Sequence, residues 1–116
     1  MTKKRIAEIY RFLASASMKR MQDDEKIALI RLLRTMKPVS NEVSEAIIDA
    51  QMRAVQEGVS DPQKFAMEAV ADLAEQDVKF IIKVMSEETF ERLMLSNDWT
   101  FGQIEELHDE LVEVKN

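Results

Sequence analysis

Apolar residues along this chain recur at intervals of three and four rather than alternating by two, so the pattern predicts helices and offers no convincing strand. Only Pro38, Gly58, Pro62 and Gly102 interrupt it. The first helix is expected from about Lys3 to Met21. Ile6, Ile9, Tyr10, Leu13 and Ser17 form its apolar stripe, and Lys4, Glu8, Arg11, Ser15 and Lys19 lie opposite. Gln22 to Glu25 reads as a polar connector whose acids suit the positive end of a second helix. That helix carries Ile27, Leu29, Ile30, Leu32, Leu33 and Met36, a wide apolar arc, with Arg31 and Arg34 on the narrower polar face. Pro38 restricts Lys37 and is expected to end it.

A third helix follows Ser40 or Asn41 as N-cap, with Val43, Ile47, Ile48, Met52 and Val55 on its apolar side and Gly58 as a left-handed stop. Ser60, Asp61, Pro62 and Gln63 form a capping box that opens a fourth helix through Phe65, Ala66, Ala69, Val70 and Leu73. The period continues through Val78, Ile81, Ile82 and Met85, as one long helix or, the preferred reading, two joined near Gln76. Ser86 caps a short helix with Phe90, Leu93 and Met94, and Ser96, Asn97 and Asp98 make a turn. Thr100 and Gln103 form a second capping box, flanked by Trp99 and Ile104 where a hydrophobic staple would close. In that last helix Ile104, Leu107, Leu111 and Val114 have coiled-coil spacing over fewer than two heptads, so the stripe must pack on its own domain or on a second copy. The fold class expected is all-α, a compact single-domain bundle of about six or seven short amphipathic helices covering residues 1–116.

Composition sharpens the picture through charge. Residues 1–37 hold ten Lys or Arg against four Asp or Glu, a local +6, and residues 38–116 hold six against eighteen, a local −12. Basic N-terminal helices therefore precede an acidic helical remainder, an asymmetry that speaks about partners rather than chemistry. With no cysteine, disulfides and thiolate chemistry are excluded and the cytoplasm is the default compartment. Lys3, Lys4 and Arg5 before Ile6–Ser17 imitate a signal peptide, but Glu8 and Arg11 break the apolar run, and no window reaches the roughly 18 apolar residues of a membrane span.

Candidate chemistry is thin. His108 follows Glu105 by three residues, the Glu-x-x-His unit of di-iron bundles, which need it twice; the chain has one histidine, and a solvated acidic helix face is the plainer reading. No serine sits in a glycine-rich elbow, and no clustered glycines follow a strand to cradle phosphate. Asp72, Glu75 and Asp77, and likewise Glu87, Glu88 and Glu91, fall at helix starts and exposed faces. Of eight methionines, Met36, Met52, Met67, Met85 and Met94 are expected to fill the core, while Met18 and Met21 lie near Phe12 at the basic end. No residue is assigned a catalytic, cofactor-binding or metal-ligating role, and no cofactor is called for.

What remains is a non-enzymatic protein–protein interaction module, an adaptor, assembly factor or regulatory subunit, whose polarised surface docks onto a protein partner or a second copy. Its candidate interaction residues are Lys3, Lys4, Arg5, Arg11, Lys19 and Arg20 at the basic end and Trp99 and Phe101 at the other. The alternative is a nucleic-acid-binding accessory protein using the same basic residues with Arg31 and Arg34 nearby. Against it stand the acidic remainder and a pI near 4.9. A basic first helix lying on anionic lipid is weaker still, because its apolar stripe is needed for the core.

Overall fold

The computed structural model describes residues 1–79, 82–83 and 85–113, and it is all-α among them: α1 (Lys3–Ala14), α2 (Asp23–Gln56), α3 (Pro62–Ala69), α4 (Ala71–Ala74), α5 (Glu87–Leu95) and α6 (Phe101–Leu111). None of these helices is long and apolar enough to cross a membrane. The chain packs as two compact units, Met1–Arg11 with Thr35–Lys79, and Phe12–Arg34 with the described part of Phe80–Asn116. Both α1 and α2 run from one unit into the other.

The largest departure from expectation is α2, one helix of 34 residues with Pro38 inside it where two helices were expected. Its buried stripe explains the continuity. Glu25, Leu29, Leu32, Met36, Ser40, Val43, Ala50 and Ala54 are all buried, and with half-buried Ile47 they step by three and four without a break. Pro38 removes one helical donor and leaves the Arg34 carbonyl without it. Both residues lie on the exposed side, where the carbonyl is not shut away from solvent, while Met36, Ser40 and Val43 hold the opposite side together. Ser40 is thus a buried helical residue and not an N-cap. The same geometry exposes Ile48, Met52 and Val55, which were expected on the apolar side, and Met52 and Met67 are surface residues while Met36 and Met85 are core.

Local signals held at most helix ends. Asp23, Asp24 and Glu25 occupy the first turn of α2. At its far end Gly58 has φ +72°, the Val59 N–H reaches the Ala54 carbonyl at 2.9 Å and the Gly58 N–H the Val55 carbonyl at 3.2 Å. That is the Schellman pair of bonds, with glycine at the left-handed position. α3 starts with Pro62 at its first turn, but the cap is Asp61, accepting from the Lys64 N–H, in place of the Ser60–Gln63 box.

In the first unit Ala50, Ala66 and Val70 form a buried cluster against which half-buried Ala46 and Ile47 pack. Among its described residues, the segment after α4 is not the helix its period suggested. The Val78 N–H is taken by the Met1 carbonyl at 2.8 Å and the Lys3 N–H by the Gln76 carbonyl at 3.0 Å. In the second unit the Met85 N–H is taken by the Leu111 carbonyl and the Met85 carbonyl by the Glu113 N–H. β-Branched Val78 and Ile82 favour such extended pairing over a helix, although Ile81 of that run, like Val114 of the α6 stripe, lies outside the described residues. The second unit buries Leu13, Leu29, Phe90, Leu93, Leu107 and Leu111. The α6 stripe packs on its own unit.

A candidate interaction surface

α1 stops at Ala14, well short of Met21, and the reason lies far along the chain. Ser15 Oγ bonds the Phe12 carbonyl at 3.1 Å, a local turn that competes with the next helical bonds. Beyond it the backbone of Ser17 is taken over by Asn97. The Ser17 N–H donates to Asn97 Oδ1 and Asn97 Nδ2 donates to the Ser17 carbonyl, both at 2.8 Å. The Arg20 N–H donates to Ser96 Oγ, also at 2.8 Å. Ser96 and Asn97 are themselves anchored on α5, Ser96 Oγ to the Arg92 carbonyl and Asn97 Nδ2 to the Leu93 carbonyl. Two turns about 80 positions apart are clasped together, and Phe12 and Trp99 close beside them with ring centroids at 5.1 Å.

The clasp joins residues that the sequence placed at opposite ends of the chain. Lys19 and Arg20 are exposed on one turn, and among the described residues neither side chain has an acidic partner. The other turn carries half-buried Trp99 and runs into α6, whose first residue Phe101 is 74% exposed; Leu95, the last residue of α5, is 53% exposed. Thr100 and Gln103 complete the capping box that fixes where α6 begins and so where Phe101 stands. Exposed Asp98 sits in the same turn.

The remaining basic candidates fall elsewhere. Lys3, Lys4, Arg5 and Arg11 belong to the first unit. Lys3 Nζ pairs with Glu42 Oε1 at 2.8 Å and Arg5 Nη1 with Glu8 Oε2 at 3.4 Å, while Lys4 is exposed and Arg11, also exposed, is engaged in its own contact. The basic front is therefore divided between the first unit, where Lys3, Arg5 and Arg11 are engaged and Lys4 is exposed, and the second, where Lys19 and Arg20 have no acidic partner among the described residues.

Beneath the clasp lies a charge cluster that the sequence reading missed. Glu25 is 7% exposed; Arg92 Nε and Nη2 reach its two oxygens at 2.8 and 2.6 Å, Thr89 Oγ1 donates to Oε2, and the Gln22 N–H donates to Oε1 at 2.8 Å. The Arg92 hydrogen bonds hold the Glu25 carboxyl down at about 2, with the Thr89 and Gln22 bonds acting the same way against the opposing effect of burial. The guanidinium is raised above its ordinary value, first by its bond to Glu25. Among the described residues no buried side-chain N or O atom lacks a partner. A signal existed in the sequence: Glu25 lies one turn before Leu29 on the buried stripe of α2.

His108 does not meet Glu105. Its Nε2 lies 2.8 and 3.0 Å from the two Glu87 oxygens, and its ring stands edge-on to Phe90 at 5.4 Å. The contact ties α6 to the first residue of α5. Among the described residues no group of three or more His, Asp or Glu side chains is placed to hold a metal ion. Set against protein-family models, curated proteins and solved structures, the chain matches none of them.

Proposed function

We propose that the chain is a non-enzymatic helical interaction module of the cytoplasm, an adaptor, assembly factor or regulatory subunit, that docks through the clasped end of its second unit. One observation carries the reading: Lys19 and Arg20, exposed and without acidic partners among the described residues, sit on a turn clasped to Ser96 and Asn97, which are flanked by exposed Leu95 at the end of α5 and exposed Phe101 at the start of α6, whereas Lys3 and Arg5 are paired with Glu42 and Glu8. Exposed apolar residues flanking a turn that is clasped to exposed cations supply the residue types of an interface centre, where aromatic and arginine side chains dominate binding energy. Because Ser17 and Arg20 are held through their backbones, little loop ordering is left to oppose binding. The pairing of Lys3 and Arg5 also removes two of the cations that a nucleic-acid strip along α1 would need.

The test is differential affinity capture from the native host with the full chain, the K19E/R20E pair, the L95S/F101S pair and, as a control on the exposed face of α2, Met52→Ser. A partner retained by the wild type and the control and lost by both pairs supports the proposal. A partner that survives both pairs overturns it.

A further inference from the structure

We propose that the clasped surface takes an acidic polypeptide segment bearing a bulky apolar residue, its carboxylates against Lys19 and Arg20 and its apolar side chain against Leu95 and Phe101. This deepens the docking reading above and rests on it.

Lys19 and Arg20 offer charge complementarity to such a segment in an otherwise unfavourable setting. The chain carries a net −6, and residues 38–116 alone carry −12, so an acidic ligand is repelled by most of its surface. Lys19 and Arg20 offer two cations at adjacent positions whose side chains have no acid to satisfy them among the described residues. Exposed charges act over about 10 Å at 0.1 M salt, so the attraction is local and the surrounding repulsion orients the approach. A basic ligand would find better sites along the acidic helices than here. Charge alone would not hold the ligand, because exposed ion pairs contribute little. Leu95 and Phe101 supply the apolar contact that a purely acidic tail could not use.

Asp98 makes the proposal sharper, since it is exposed in the same turn and opposes the ligand that Lys19 and Arg20 attract. Removing its charge should tighten binding, an effect that a purely structural role for this turn would not produce.

The experiment is panning of a random peptide library displayed on phage against the full-length chain, with the K19E/R20E variant for counter-selection. Recovered peptides are expected to be enriched in Asp and Glu together with Leu, Phe or Trp. As synthetic peptides they should bind about tenfold more weakly in 1 M than in 0.1 M salt. They should also bind about tenfold more weakly to Phe101→Ser, not detectably to K19E/R20E, and more tightly to Asp98→Asn, with unchanged circular dichroism throughout. The proposal is overturned if no peptide is recovered, if those recovered show no acidic enrichment, or if K19E/R20E binds them equally. It is also overturned if the same variants instead abolish sedimentation with phosphatidylserine vesicles, which would make the ligand a lipid surface. Loss of self-association in analytical ultracentrifugation would likewise overturn it in favour of a second copy. A host partner captured through the clasped end, together with failure of the peptide arm, would leave docking in place and remove only the acidic chemistry.

Discussion

Arg92 and Arg20 stand on either side of the same pair of turns. They are joined through Ser96 Oγ, which accepts from the Arg20 N–H and donates to the Arg92 carbonyl. Their guanidinium groups meet opposite fates. Arg92 is bidentate to Glu25, whose remaining bonds come from Thr89 and Gln22, while Arg20 projects with no acid to receive it among the described residues. A charge consumed inside a unit fixes that unit's conformation and has nothing left for a partner, whereas a charge held in place by its backbone but unpaired at its tip keeps its binding capacity. Glu25 and Arg92, in the helices next to the clasped turns, do the first job, and Arg20, on a turn, does the second.

Breaking the inner half should have the largest effect. Arg92→Ala leaves Glu25 buried without its main counter-charge, and the fall in Tm by thermal unfolding should be the largest of the set. Replacing both partners, as in Glu25→Gln with Arg92→Met, should recover much of that loss, which a double-mutant cycle would measure. The same cluster carries an acid signature. Because the folded-state Glu25 carboxyl titrates at about 2 against an ordinary value of 4.5, its stabilisation is complete above the ordinary value and disappears as pH falls towards 2. Denaturant unfolding from neutral to acid pH should show that decline, and Glu25→Gln should flatten it.

The clasp between the two halves comes next in size. Asn97→Ala removes three hydrogen bonds at a partly solvated site, and about 1 kcal/mol of stability should go with them. Trp99 is the only tryptophan and packs at a tilt against Phe12, so its fluorescence should shift with the loosened turn. The outer half should respond least. Lys19→Ala and Arg20→Ala should each change the unfolding free energy by less than about 0.5 kcal/mol, and a larger loss would mean that these charges serve the fold.

Much of the helical layout can be read locally. Ser86 accepts from the Thr89 N–H, Thr100 and Gln103 exchange their capping bonds, and Gly58 adopts positive φ, because each depends on residues within about four positions. Pro38 misled because proline chemistry is local and the packing that overrides it is not. The stripe from Glu25 to Ala54 keeps α2 whole, and the proline falls on its exposed side. Met52 and Met67 misled for a related reason, since helical spacing tells which residues share a face and not which face finds a neighbour.

The candidate surface was half legible. Lys19, Arg20, Trp99 and Phe101 could be named from residue type and position, yet as members of two separate ends. Nothing in the sequence says that Asn97 will take the backbone of Ser17 or Ser96 that of Arg20. By itself the sequence determined the helical class, most caps and the polarity of charge, all set by the short-range periodicity of hydrogen bonds and side chains. Only the tertiary structure decided where α1 stops, that α2 passes through Pro38, and which cations are satisfied by acids. Those outcomes depend on contacts between residues far apart in the chain, which exist only once the helices have packed.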